Sequence, residues 1–143
     1  MRFFVPGIPR PAGSKRPIVS KTTGRSFVVD SSGQKGKDWR GDVKRFAMDA
    51  DYEKPLDCAV QLHVYFYLPR PKNHYRTNGN LKDWAPRHHT KRPDATKLLR
   101  AIEDALTGVC WTDDALIVRQ RVEKCYVGLG RPVPGAVVEV LRA

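Results

Sequence analysis

No apolar run in this chain approaches the ~18 residues that a membrane-spanning helix needs, and no basic amphipathic helix is evident. Neither a membrane-embedded nor a membrane-surface protein is indicated. Proline breaks the opening MRFFVPGIPRP almost at once, so no signal peptide is expected and a cytoplasmic location is. Cysteine is scarce. Cys58, Cys110 and Cys125 are odd in number, far apart and without CxxC spacing, which supports neither a disulfide framework nor a zinc site. They are expected to be small core residues in a reducing compartment. A GxxxxGK nucleotide loop, a Ser/His/Asp arrangement and internal repeats are all missing. His74, His88 and His89 lack metal-ligand spacing to a Cys or another His.

Acidic residues are also few. Lys and Arg number 26 against 15 Asp and Glu, a formal charge of +11 on 143 residues, and the isoelectric point is near 9.9. Such an excess attracts a polyanion, of which DNA is the leading candidate. With 41% apolar and 29% charged residues the chain can bury one core, and a single domain spanning residues 1–143 is expected.

The patterning predicts a short strand from Met1 to Ile8. It then predicts a hairpin whose arms, Pro17–Ser20 and Ser26–Val29, flank a Lys-Thr-Thr-Gly turn. Lys15 and Arg16, with Arg10, Lys21 and Arg25, make this hairpin a flap that could touch DNA. Trp39, Val43, Phe46, Ala47 and Ala50 recur at steps of three and four, as in a surface helix from about Lys37 to Ala50. Val60, Leu62, Val64, Phe66 and Leu68 alternate with polar residues in a strand from Ala59 to Leu68, where His63 reads as a sheet residue. Pro69 to Arg92 then carries seven cations, Arg70, Lys72, Arg76, Lys82, Arg87, Lys91 and Arg92, against one acid, Asp83. Tyr75 and Trp84 stand among them, so this long loop could grip phosphates and stack on an unpaired base. Strands are expected again from Ala115 to Lys124 and Ala136 to Leu141, joined by a turn over Gly128 to Pro134. The order predicts an α+β fold, with a small mixed or antiparallel sheet and two main helices packed on one face.

Between these lies the stretch KRPDATKLLRAIEDALTGVCWTDD, from Lys91 to Asp114. Pro93 and Asp94 suit a helix start, Leu98, Leu99, Ile102, Ala105 and Leu106 repeat at helical spacing, and Gly108 suits a stop. A helix from Ala95 to Thr107 would rise ~18 Å, and five extended residues after it would cover ~17 Å, so the chain could double back. Asp113 and Asp114 would then lie beside Asp94. Three aspartates offer the oxygen ligands that Mg²⁺, or Mn²⁺ as a substitute, prefers, and on a basic surface that chemistry implies phosphodiester hydrolysis. Lys97 and Arg100 follow on the helix as cations for developing phosphate charge. Asp104, too far along the axis to join the metal, is expected to pair with them. Each carboxylate also has an ordinary reading: Asp94 as a helix cap, Asp113 and Asp114 as turn residues.

The residues RPDATKLLRAIEDALTGVCWTDDALIV resemble the RusA family of Holliday junction resolvases, whose pattern is roughly (K/R)PDxD(N/K)LxKxxxDALxGxxxxDDxQ(I/V). The resemblance covers Pro69 to Lys124 well and reaches more loosely over the first strand. It implies a Mg²⁺-dependent endonuclease, acting as a homodimer on four-way DNA junctions in recombination and repair, in a bacterial or phage-infected cell. By position it assigns the metal to Asp94 and Asp114, with Asp113 adjacent, and places the family's catalytic lysine on Arg100. This sequence departs at Thr96, where the family has a second Asp, at Arg100 and at Leu116, where Gln is frequent. Thr96 removes a negative charge but leaves a hydroxyl that ligates weakly, whereas Arg100 can stabilise a phosphorane but not serve as a general acid. A binding-only homologue is the alternative to an active enzyme.

Overall fold

The computed structural model describes residues 1–50, 54–128 and 132–143. Six strands and two helices follow in the order β1 (Arg2–Pro6), β2 (Lys15–Val19), β3 (Ser26–Asp30), α1 (Gly33–Asp49), β4 (Val60–Leu68), α2 (Ala95–Leu106), β5 (Ile117–Tyr126) and β6 (Gly135–Arg142). The main sheet has the order β1-β6-β4-β5, and β2 and β3 form a separate antiparallel ribbon. Only β4 and β5 run parallel, with α2 in the crossover between them; the β1/β6 and β4/β6 pairs are antiparallel. The expected α+β architecture with a mixed sheet is therefore what the chain adopts.

Along β4 the alternation predicted from sequence is realised. Val60, Leu62, Val64, Phe66 and Leu68 are buried and their neighbours half-buried. The inward row joins Trp39, Val43 and Ala47 of α1 and Leu98, Ala101, Ile102 and Ala105 of α2 in one core, so both helices lie on one sheet face. Each fully buried Leu or Ile in such a core contributes roughly 1.5–3 kcal/mol. On the other face His63 sits 3.6 Å from Glu139, which also pairs with Arg2 at 3.2 Å, as suits a sheet residue.

Several limits differ from the expected ones. α1 starts at Gly33, four residues early, since Gly33 to Gly36 carry no apolar residue to mark a helical face. A 3₁₀ turn, Asp114–Leu116, precedes β5, which then runs on to Tyr126. The turn expected over Gly128 to Pro134 lies partly outside the described residues. Cys110 is buried, and burial pushes its thiol up to about 12, so it is inert packing. Cys58 and Cys125 are half-buried. Among the described residues no helix is long and apolar enough to cross a membrane.

Candidate active site

α2 organises the site, and its two ends differ. At the N-terminus Asp94 occupies the cap position, with φ −68° and ψ 142°, but its side chain makes no capping hydrogen bond. Its backbone carbonyl accepts from the Leu98 N–H at 3.0 Å, so the helix starts without the carboxylate. The exposed carboxylate faces an open cleft of about 630 Å³ lined by Arg10, Pro69, His89, Arg92 and Lys97. Burial, and after it the Lys124 charge, hold the His89 imidazole below its ordinary value. The Lys124 ammonium also donates to the carbonyls of Lys91 and Pro93, at 2.8 and 2.9 Å, and ties this end of α2 to the end of β5. Thr96 is exposed on the first helical turn.

At the C-terminus three carboxylates meet different fates. Asp113 accepts from the Ala115 N–H at 2.7 Å and caps the 3₁₀ turn, its ordinary reading. Asp114 Oδ1 accepts from the indole N–H of buried Trp111 at 2.9 Å and lies against the Thr107 hydroxyl, while Oδ2 takes no hydrogen bond from the described residues. Glu103 is the residue that sequence reasoning missed. Its carboxylate accepts from the Gln120 amide and lies 3.8 Å from Arg100. Burial and then the Asp114 charge raise its proton affinity above that of an ordinary glutamate. The partner of Arg100 is thus Glu103, not Asp104 as expected. Glu103 stands three positions after Arg100 on the half-buried flank of α2, a spacing the sequence offered but the RusA-like pattern does not mark.

The chain does not double back. Asp94 stands at one end of α2, whereas Asp114 touches Thr107, the cap residue of the other end. Thirteen residues at ~1.5 Å each put about 20 Å between them. The cause is local. Gly108, at φ 78°, turns sharply, and the N–H groups of Val109 and Cys110 bond back to Leu106. Trp111 then enters the core and its carbonyl accepts from the Gly108 N–H at 2.7 Å. Residues 108 to 113 are spent on a turn instead of an extended return. Accordingly, no group of three or more His, Cys, Asp or Glu side chains among the described residues could hold a metal ion.

The long basic loop after β4 is ordered around Tyr126. Arg70 stacks on that ring at 4.1 Å and donates to the Pro86 carbonyl at 2.7 Å, while His74 and His89 pack against the same ring. Arg70, half-buried, is thereby engaged within the loop by the Tyr126 ring and the Pro86 carbonyl. Lys82 lies 5.6 Å from the Trp84 ring, and Trp84 itself is 60% exposed. Arg76 pairs with Asp83 at 3.0 Å. Lys72, Arg87, Lys91 and Arg92 are exposed, as are Lys15 and Arg16 on the β2/β3 ribbon. The ribbon joins this surface because the Ala12 N–H donates to the Lys97 carbonyl at 2.8 Å.

Cations on ordered loops around the ends of a carboxylate-bearing helix form a surface suited to a phosphodiester backbone. No curated protein matches the chain. The family model described as endodeoxyribonuclease RusA matches residues 9–140 of the 143, and the chain belongs to the RusA endodeoxyribonuclease family.

Proposed function

We propose that the protein resolves four-way DNA junctions by Mg²⁺-dependent paired hydrolysis of phosphodiester bonds, as a homodimer. The observation that carries this reading is the state of two aspartates. Asp94 keeps its carboxylate out of the helix cap, and Asp114 has one oxygen braced by Trp111 and Thr107 with the other unbonded among the described residues. Bracing of that kind is what a metal-ligating carboxylate needs. Burial and, after it, the Asp114 charge raise Glu103, and the second of these is unfavourable charge that a cation would relieve.

Since α2 keeps Asp94 and Asp114 about 20 Å apart in one chain, a single cation takes both only between subunits. An antiparallel pairing of the two α2 helices across a two-fold axis would set Asp94 beside Asp114 of the partner subunit, and would create two identical sites. β5 favours that arrangement. It is the sheet edge next to α2, linked to it through Gln120 and Lys124, and its outer side pairs with no strand among the described residues. Each site then holds Asp94 and Thr96 from one subunit with Asp114, Glu103 and the adjacent Asp113 from the other. Bound there, Mg²⁺ would act as the Lewis acid of phosphodiester hydrolysis, with Mn²⁺ as a substitute. Lys97 and Arg100 flank the position and would neutralise charge as it develops on the phosphate. Lys15, Arg16, Lys72, Arg76, Lys82, Arg87, Lys91 and Arg92 would hold the DNA arms, and exposed Trp84 would stack on a base.

The test is a divalent-ion titration of cleavage on a four-way junction beside linear duplex. Two nicks per junction and none on duplex are expected. Junction binding without cleavage at any concentration of Mg²⁺ or Mn²⁺ would favour the second reading, a binding-only homologue. Thr96 is the observation behind that second reading, because it leaves the site one carboxylate short of the family pattern. Thr96→Asp is therefore expected to lower the Mg²⁺ concentration for half-maximal cleavage by about ten-fold, as an added carboxylate ligand should. An unchanged requirement would remove Thr96 from the metal site.

Thr107→Val tests the bracing of Asp114. The residue is exposed, so its loss should change stability by less than about 1 kcal/mol. Mg²⁺ affinity or cleavage should nonetheless fall about 10- to 100-fold, the usual effect of removing a group that orients a ligand. A variant that needs no more Mg²⁺ and cleaves at the original rate would show that the hydroxyl serves only the helix end.

A further inference from the structure

The ribbon of β2 and β3 carries apolar residues to which the function above gives no task. Ile18, Val19, Phe27 and Val28 are 39, 62, 49 and 66% exposed. Ile18 opposes Phe27 across the ribbon, and Pro17, Val19 and Val28 lie on its other face. None of the five belongs to the core cluster or packs against it. A two-stranded ribbon with apolar side chains on both faces and none of the described core against either is a liability in water unless something else covers it.

The root of the ribbon, in contrast, is fixed. Asp30 pairs with Arg40 at 3.3 Å, and Arg40 also donates to the Ser32 hydroxyl at 3.2 Å. The Ser14 N–H donates to the Ser31 hydroxyl at 2.8 Å, and the Ser31 N–H returns to the Ser14 carbonyl at 3.2 Å. Gly13 lies so close beneath this joint that an added Cβ would sit 2.1 Å from Asp30 Oδ1. The tip is closed by the Ser20 N–H donating to the Arg25 carbonyl at 2.8 Å. Root and tip together make a stiff arm, and its root adjoins Lys97, at the Asp94 end of α2. Lys15, Arg16, Lys21 and Arg25 line the arm, while its one acid, Asp30, is engaged by Arg40.

Cations beside exposed apolar side chains match DNA only where a base-pair face is open, because a linear duplex offers phosphates but no free stacking surface. The centre of a branched junction offers both. We propose that the ribbon is a wedge. Phe27 and Ile18 enter the junction centre and cover the face of an unstacked base pair, while Lys15, Arg16, Lys21 and Arg25 meet phosphates of the flanking arms. The proposal rests on the junction reading and gives that reading its selectivity, since the apolar contact exists only at a branch.

The experiment uses the full-length protein without divalent ions, on a four-way junction with 2-aminopurine at the branch point and on a linear duplex. Wild-type protein should bind the junction and raise the branch-point fluorescence several-fold. Phe27→Ser should abolish the rise and weaken junction binding by about ten-fold, the lower range for one base stacked on an aromatic ring, with duplex binding unchanged. Phe27→Leu, which keeps an apolar wedge, should retain most of the rise. An equal rise with Phe27→Ser, or no rise with wild-type protein on a bound junction, overturns the wedge. So does conversion of a dimer to a monomer by Phe27→Ser with fluorescence unaffected, which would make the ribbon a contact between copies of the chain. Wild-type protein that does not bind the junction at all overturns the junction reading, and the wedge with it.

Discussion

Mixing two inactive variants, Asp94→Asn and Asp114→Asn, is expected to restore nicking of four-way junctions. Each variant alone should lose about a thousand-fold in cleavage, since removing a metal ligand forfeits several kcal/mol of charge stabilisation. Neither should lose its fold: Asp94 makes no capping bond, and Asn at 114 can still accept from Trp111 and Thr107. Junction binding should persist or tighten, because a charge that repels phosphate is gone. In a mixed dimer the geometry of α2 decides the outcome. If Asp94 works with Asp114 of the partner subunit, one of the two sites collects both substitutions and the other collects none. That intact site cuts one strand, so the mixture yields nicked junctions without paired resolution. If both ligands came from one chain, every site in the mixture would carry a defect and no nicking would return. Dimers shown to have exchanged subunits, yet still silent, would refute the shared site. A protein that sediments as a monomer both free and on DNA would remove its basis.

The shared site depends on a distance that the sequence suggested wrongly, and the reason lies in five residues. Helical periodicity fixed α2 to within one residue of its limits, since Leu98, Leu99, Ile102, Ala105 and Leu106 repeat as one buried stripe. Alternation likewise located β4. The reach of the segment after α2 was legible only as a maximum. Whether Gly108 to Thr112 extend or fold back depends on where the Trp111 ring finds a cavity, and that is set by α2, Leu56 and the sheet together. Sequence spacing holds no record of such packing. The same limit applies to Glu103 and Arg70. Glu103 resembles any exposed helical glutamate until Gln120 on β5 and Asp114 after the turn are brought to it. Arg70 resembles a loop cation until Tyr126, far along the chain, supplies the ring on which it stacks. The turn role of Asp113, which rests on local chemistry, was readable, whereas the local cap expected of the Asp94 side chain does not form. Roles that rest on a distant partner were not readable.

Affinity for a junction is expected to fall by about 10³ to 10⁵ between 50 and 200 mM salt, the range for a protein that neutralises roughly six to ten phosphates. The charge of +11 motivates this, and the structure narrows which cations contribute. Exposed Lys15, Arg16, Lys72, Arg87, Lys91 and Arg92 make no ion pair among the described residues, so they are available to phosphate. Arg76 must first leave Asp83, an exposed pair whose loss costs little, and Arg70 would have to leave both Tyr126 and the Pro86 carbonyl. Single substitutions should therefore differ in kind. Arg87→Ala and Lys91→Ala should each lower the slope of log affinity against log salt by about one, on junction and linear duplex alike, with no change in melting temperature. Arg70→Ala should leave the slope nearly intact and instead lower the melting temperature, because the stacked guanidinium organises the loop between β4 and α2. The measurement is a salt series of equilibrium binding for each variant, paired with thermal unfolding. A wild-type affinity indifferent to salt would exclude phosphate-dominated binding. A slope that falls for Arg70→Ala as far as for Arg87→Ala would show that the inward stacking of Arg70 gives way to DNA.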